Sequence, residues 1–180
     1  MVSDYLRAYG DSGLRGLALV GAYGGLTPPP PAAPPALAAQ MARTRELQLS
    51  SNLEDNIAAA RGGVRFLTGK EMPLAYYERA VQLALMLPAY ARRHMFDRPI
   101  ANMDLIPNIQ TPLWIVVGGK DGSTPEGQAR ELARKVPSAR VSVYPDSGHS
   151  PFAEEPDRFN HELMKLARET ATANDSAPLR

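Results

Sequence analysis

Asp146-Ser147-Gly148-His149-Ser150-Pro151-Phe152-Ala153-Glu154-Glu155-Pro156 places a histidine in a glycine-containing turn. Directly before it stands an apolar, strand-like run, Ala139-Arg140-Val141-Ser142-Val143-Tyr144. Upstream, Trp114-Ile115-Val116-Val117-Gly118-Gly119-Lys120-Asp121 ends a second apolar run in an acid. An acid after one strand and a histidine after a later one supply two of the three members of a nucleophile–base–acid triad. Histidine takes a proton from an alcohol and returns it to a leaving group near neutral pH, so His149 is the candidate base. A carboxylate on its other ring nitrogen fixes the tautomer and stabilises the imidazolium, so Asp121 is the candidate acid. Gly148 lets its turn run close to the site, and Gly118-Gly119 let strand pass into loop. The third member is a nucleophile on a sharp strand-to-helix turn, and no G-x-S-x-G occurs in the sequence.

Each residue also has a plainer explanation. An Asp between Gly and Pro is a common turn former, and a turn His is commonly a surface residue. Asp146 is read as a turn residue before a carboxylate behind the histidine. Ser123, Ser147 and Ser150 lie near the candidate pair without the flanking glycines of a nucleophile turn. His94 and His161 are placed on helices and given no catalytic part. Trp114 is assigned to strand packing. Met72, Met86, Met95, Tyr76, Tyr77 and Phe66 are read as core ahead of the alternative, an acyl pocket wall.

Strand–helix–strand–helix order extends from the pair. The patterning predicts a strand over 112–118, a helix over 125–136, a strand over 140–144 and a helix over 156–168. Apolar strands joined by helices pair in parallel. The helix after Pro125 carries acids early and Lys/Arg late, as its dipole favours. Residues 2–9 read as a helix closed by Gly10, and Leu14 to Ala22 as a buried strand. The run Pro28-Pro29-Pro30-Pro31-Ala32-Ala33-Pro34-Pro35 lacks donors and fixes φ, so it is a stiff connector out of the sheet. Residues 36 to about 99 are helical throughout. Ser51, with Glu54 three residues on, reads as a capping box. Pro73 opens a further helix with Leu74, Tyr77, Val81, Ala84 and Leu85 on one face, and Pro88 closes it. This gives four segments: core 1–26, helical cap 27–99, core 100–169 with the acid and histidine loops, and a disordered tail over 170–180.

Composition removes several classes of partner. The 180 residues carry 20 Lys and Arg against 19 Asp and Glu, a net charge of +1. Nothing in that balance calls for nucleic acid or an anionic membrane. With no cysteine there is no disulfide framework or thiolate metal site, and no cofactor is called for. No apolar run approaches the roughly 18–20 residues of a membrane span, and no signal peptide stands at the start, so a cytoplasmic location is expected.

At this point the chain resembles the α/β hydrolases, over almost its whole length to about residue 169. Thr111-Pro112-Leu113-Trp114-Ile115-Val116-Val117-Gly118-Gly119-Lys120-Asp121-Gly122-Ser123-Thr124-Pro125 is similar to the family's acid loop. Asp146-Ser147-Gly148-His149, with Pro151-Phe152 and Glu155-Pro156, is similar to its histidine loop. Within the family, Tyr5-Leu6-Arg7-Ala8-Tyr9-Gly10 and Arg98-Pro99-Ile100-Ala101-Asn102-Met103-Asp104 look most like bacterial esterases related to cofactor-free haloperoxidases. The resemblance implies an α/β fold: the C-terminal part of a mostly parallel sheet, about three strands of it, with an inserted helical cap. It implies hydrolysis of a small or medium ester by a Ser-Asp-His triad in which Asp121 and His149 are the acid and base. The family's nucleophile turn, G-x-S-x-G, precedes a helix like that of residues 2–9, so the serine is expected upstream of Met1. Two alternatives stand beside this. The chain is a truncated, non-catalytic binding relative or remnant, or its chemistry is that of a perhydrolase or of a hydrolase with an aspartate nucleophile. The strand at 14–22 would then expose a sheet edge open to self-association.

Overall fold

In a computed structural model, residues 2–29, 32–97 and 100–175 are described. Half of the Pro28–Pro31 run and the tail beyond Asp175 therefore lie outside the described residues. Among the described residues, three strands form one parallel sheet in the order β1 (Leu17–Val20), β2 (Leu113–Gly118), β3 (Ala139–Tyr144). Leu17 pairs with Leu113, and Leu113 with Ala139, so all three strands begin level, and β2 and β3 end level where Gly118 pairs with Tyr144.

Every residue of β2 is buried, as its unbroken apolar sequence requires of a strand covered on both faces. The period of two divides it. Leu113, Ile115 and Val117 face one cluster with Leu17, Leu19, Leu6 of helix α1 (Val2–Tyr9) and Ala129 and Leu132 of helix α6 (Glu126–Lys135). Trp114 and Val116 face another with Tyr144 and Leu166, the latter on helix α8 (Pro156–Asp175). Each such buried aliphatic side chain contributes about 1.5–3 kcal/mol. Trp114 is fully buried, as expected of a packing residue, and its indole N–H donates to Ser142 Oγ at 2.8 Å.

Between β1 and β2 the chain builds helices α2 (Pro35–Leu49), α3 (Leu53–Phe66), α4 (Leu74–Leu85) and α5 (Ala89–Asp97), then a 3-10 helix over Met103–Asn108. Helix α2 packs on α3 and α5, and α3 on α4. Asn56 and Arg92, both buried, join α3 to α5 through a hydrogen bond from the guanidinium to Asn56 Oδ1.

Several expectations need correction. The first strand is four residues rather than nine, because Gly21 turns out of the sheet at φ +58. Asn52, not Ser51, caps α3: its side-chain oxygen accepts from Glu54 N at 2.9 Å, while the neighbouring Ser50 hydroxyl bonds Asp55. On α4 only Val81 is buried; Tyr77, Ala84 and Leu85 are half-buried and Leu74 is exposed. Met86, Met95 and Phe66 are exposed and so are not core, since this single layer of helices has nothing beyond it to pack against among the described residues. The last helix does not stop at Arg168 but runs to Asp175, with Thr170 buried and its hydroxyl bonded to Leu166 O, so the first residues of the expected tail are helix. The 3-10 helix and the four-residue helix α7 (Pro151–Glu154) were not foreseen.

Candidate active site

The sheet delivers two loops to the same place. Helix α6 and strand β3 separate them in sequence, but β2 and β3 are adjacent and parallel, so the turns after Gly118 and Tyr144 emerge side by side. Glycine makes the approach possible: a Cβ on Gly118 would collide with the Gly148 carbonyl oxygen. Lys120 N donates to Ser147 O at 3.0 Å, stitching loop to loop.

Asp121 Oδ2 and His149 Nδ1 stand 2.9 Å apart. The Asp121 side chain is 2% exposed and that of His149 32%, so the carboxylate sits behind the ring and the ring faces outward. Asp121 is held by more than the histidine. Its Oδ1 accepts from Ser123 N at 2.8 Å, from Ser123 Oγ at 2.6 Å and from Thr124 N at 3.3 Å, and its Oδ2 accepts from the Thr124 hydroxyl. Burial pushes this carboxyl up, but the hydrogen bonds from His149, Ser123 and Thr124 outweigh burial and hold it well below the usual carboxylate range. A carboxylate ionised in this way accepts from Nδ1–H, which leaves the Nε2 lone pair able to take a proton.

The pair is braced from other elements. Tyr23, just beyond β1, is buried, and its hydroxyl donates to the carbonyl oxygens of Thr124 at 3.2 Å and Pro125 at 2.7 Å. Burial, and then the charge of Asp121, push that phenol up to about 12. A Cβ on Gly21 would lie 2.5 Å from His149 O and 3.2 Å from its Nδ1, so β1 also ends against the histidine. From the helical insertion, Leu67 O accepts from His149 N at 2.7 Å, and the Phe66 ring stands by Gly122 of the acid loop.

The two sequence candidates are therefore adjacent. Ser123 lies 3.1 Å from His149 Nδ1, the nitrogen that faces Asp121, and its hydroxyl serves the carboxylate. Ser147 is buried and donates to Glu155 at 2.7 Å. Asp146 is exposed and pairs with Lys120 at 3.5 Å, in keeping with a turn role. His94 and His161 are exposed on α5 and α8. The supports at Ser123 and Thr124 carried a local signal, since an Asp followed at i+2 and i+3 by Ser and Thr forms an Asx-type turn. Tyr23 and Leu67 carried none, because they reach the pair only through the fold. Among the described residues no group of three or more His, Asp or Glu is placed to hold a metal ion, and no helix is long and apolar enough to cross a membrane.

Comparison with known proteins supplies the relatives. The model of the alpha/beta hydrolase family matches residues 5–162. A pimeloyl-[acyl-carrier protein] methyl ester esterase of Vibrio vulnificus is 31% identical over 71 residues, which is 38% of this chain and 28% of that protein. Among solved structures, a Burkholderia cenocepacia protein described as an aryl esterase aligns with a TM-score of 0.81 at 24% identity, over 95% of this chain and 61% of that one. An esterase from Exiguobacterium antarcticum aligns with a TM-score of 0.75 at 20% identity, over 93% of this chain and 62% of that one. At those identities the structures speak for the fold. The chain spans about three-fifths of the length of each.

Proposed function

The chain belongs to the α/β hydrolase family, and from that premise we propose that Asp121 and His149 are the acid and base of a serine hydrolase acting on small or medium esters. The observation that carries the reading is the 2.9 Å contact between a buried carboxylate and a half-exposed imidazole at adjacent strand ends. His149 Nε2 takes the proton of a serine hydroxyl as its oxygen attacks the ester carbonyl, and gives that proton to the departing alcohol. Water then repeats the cycle, releasing the acid and restoring the serine. Asp121 stays ionised and stabilises the imidazolium. The serine is that of a G-x-S-x-G turn preceding α1 in the family's order, and the helical insertion over residues 27–99 is the cap over the site. Ester substrates are in keeping with what the Vibrio relative is named for.

The alternative reading is a non-catalytic relative that binds a partner. Fluorophosphonate labelling of the protein isolated from its native source, with its intact mass measured, separates the two. Labelling on a serine that disappears in His149→Ala supports the hydrolase. Labelling unaffected by that change overturns Asp121 and His149 as acid and base. No labelling at a mass of 19.5 kDa supports the binding relative.

A further inference from the structure

Glu154, the last residue of α7, is buried at 5% exposure. Its Oε2 accepts from Gly69 N at 2.8 Å, in the turn between α3 and α4, and its Oε1 accepts from Gly148 N at 2.9 Å, beside the candidate base. The two turns also touch directly. Leu67 O accepts from His149 N at 2.7 Å. A Cβ on Gly69 would lie 2.5 Å from Gly148 N, and a Cβ on Gly148 2.6 Å from Gly69 N, so the two backbones meet with glycine on both sides. A carboxylate taken out of water needs donors on both oxygens, and here each oxygen receives one backbone amide from a different turn. The acceptor for Gly148 N comes from 6 residues along its own loop, and that for Gly69 N from across the contact. The insertion turn therefore has this acceptor for its Gly69 amide only when it is docked.

We infer that Glu154 is a positioning residue for His149: its carboxylate clasps the Leu67–Gly69 turn of the helical insertion to the histidine turn, so that seating the insertion and seating the imidazole are one event. The inference uses the proposed function only in taking His149 as the base. Displacing the insertion breaks the bond from His149 N to Leu67 O and that from Gly69 N to Glu154, and opens the remaining bond from Gly148 N to Glu154 to water. The insertion thereby sets the base as well as bounding the site. Glutamine at 154 keeps the shape but turns an amide donor toward one of the two N–H groups, so one of the two bonds must fail.

Amide exchange and the downfield Nδ1–H resonance of His149, followed by NMR in the protein as its gene encodes it, test this. In the unaltered protein the amides of Gly69, Gly148 and His149 should open as one unit, with protection agreeing to within about threefold. Glu154→Gln should raise exchange at all three by about tenfold or more and broaden the His149 Nδ1–H signal through exchange with water. Gly69→Ala, which pushes the insertion turn away without touching Glu154, should do the same. Glu155→Gln, which removes the charge paired with Arg158 at 3.7 Å and keeps an acceptor for the Ser147 hydroxyl, should leave all four signals unchanged. Protection differing by more than about tenfold among the three amides of the unaltered protein overturns the inference. So does a Glu154→Gln or Gly69→Ala protein in which Gly69 is freed while the Gly148 and His149 signals hold. Should neither variant fold, the rates in the unaltered protein decide. None of these readouts needs catalysis, so failed fluorophosphonate labelling overturns the hydrolase and leaves the clasp standing, whereas independent opening overturns the clasp alone.

Discussion

The Tyr23 hydroxyl donates to the Pro125 carbonyl oxygen 2.7 Å away, tying the end of β1 to the acid loop 102 residues later. The same hydroxyl meets Thr124 O, and Thr124 in turn donates twice to Asp121. The acid is thus braced by a phenol that does not touch it.

Tyr23→Phe should cost about 1–2 kcal/mol and speed amide exchange at Ser123 and Thr124. It should also change the alkaline limb. The folded phenol titrates near 12 against about 10 when unfolded, so the unfolded state loses its proton first as pH rises. Stability contributed below pH 10 is lost between about 10 and 12. Denaturant titrations across that window should show a shallower fall in Tyr23→Phe; equal slopes would mean Tyr144, also pushed up to about 12 by burial, carries the effect.

At acid pH the sign reverses. The Asp121 carboxyl is held below its unfolded value, so its contribution is complete above about pH 4 and is lost as pH falls through the folded pKa. Asp121→Asn should lower stability at pH 7 by about 2–4 kcal/mol and flatten the decline below pH 4. An unchanged acid limb would show that other carboxylates set it.

Asp11 offers a test of fold without function. Its Oδ2 accepts from Gln110 N at 2.6 Å and Thr111 N at 2.8 Å, fixing the entry to β2. Asp11→Ala should cost about 2 kcal/mol, or roughly 4–8 °C in Tm, and leave the His149 Nδ1–H resonance in place. Loss of that resonance would show that the strand entry also sets the site.

Gly118→Ala should prevent the two loops from meeting, since the added methyl falls on the backbone of Gly148. A loss of roughly 3 kcal/mol or more is expected, read as a lowered Tm or absent soluble protein. A stable variant that retains the His149 resonance would mean the histidine turn yields more readily than its packing implies.

Among the described residues, strand β1 pairs with β2 on one side and ends the sheet on the other. Its outer edge presents backbone donors and acceptors beside Leu19, and such an edge templates pairing with another chain. The 180-residue chain alone is expected to self-associate, measured by sedimentation. A monodisperse monomer with one cooperative melt would show that the edge is adequately blunted.

Apolar periodicity and punctuation by glycine and proline determined the parallel three-stranded core and the helical stretch between its strands, and singled out Asp121 and His149 as candidates, because each is a property of consecutive residues. Only the tertiary structure decided what surrounds that pair. Asn52 displaced Ser51 as a cap, and α8 ran past Arg168, because side-chain reach and packing on the sheet outweigh local propensity. The exposure of Met86 and Phe66 depended on the insertion being a single layer. Tyr23, Leu67 and Glu154 make their contacts across 101, 82 and 6 residues of chain, through backbone groups that carry no sequence signal. Any residue type presents a carbonyl or an amide, so a contact to one becomes visible only when the fold has brought it within hydrogen-bond distance.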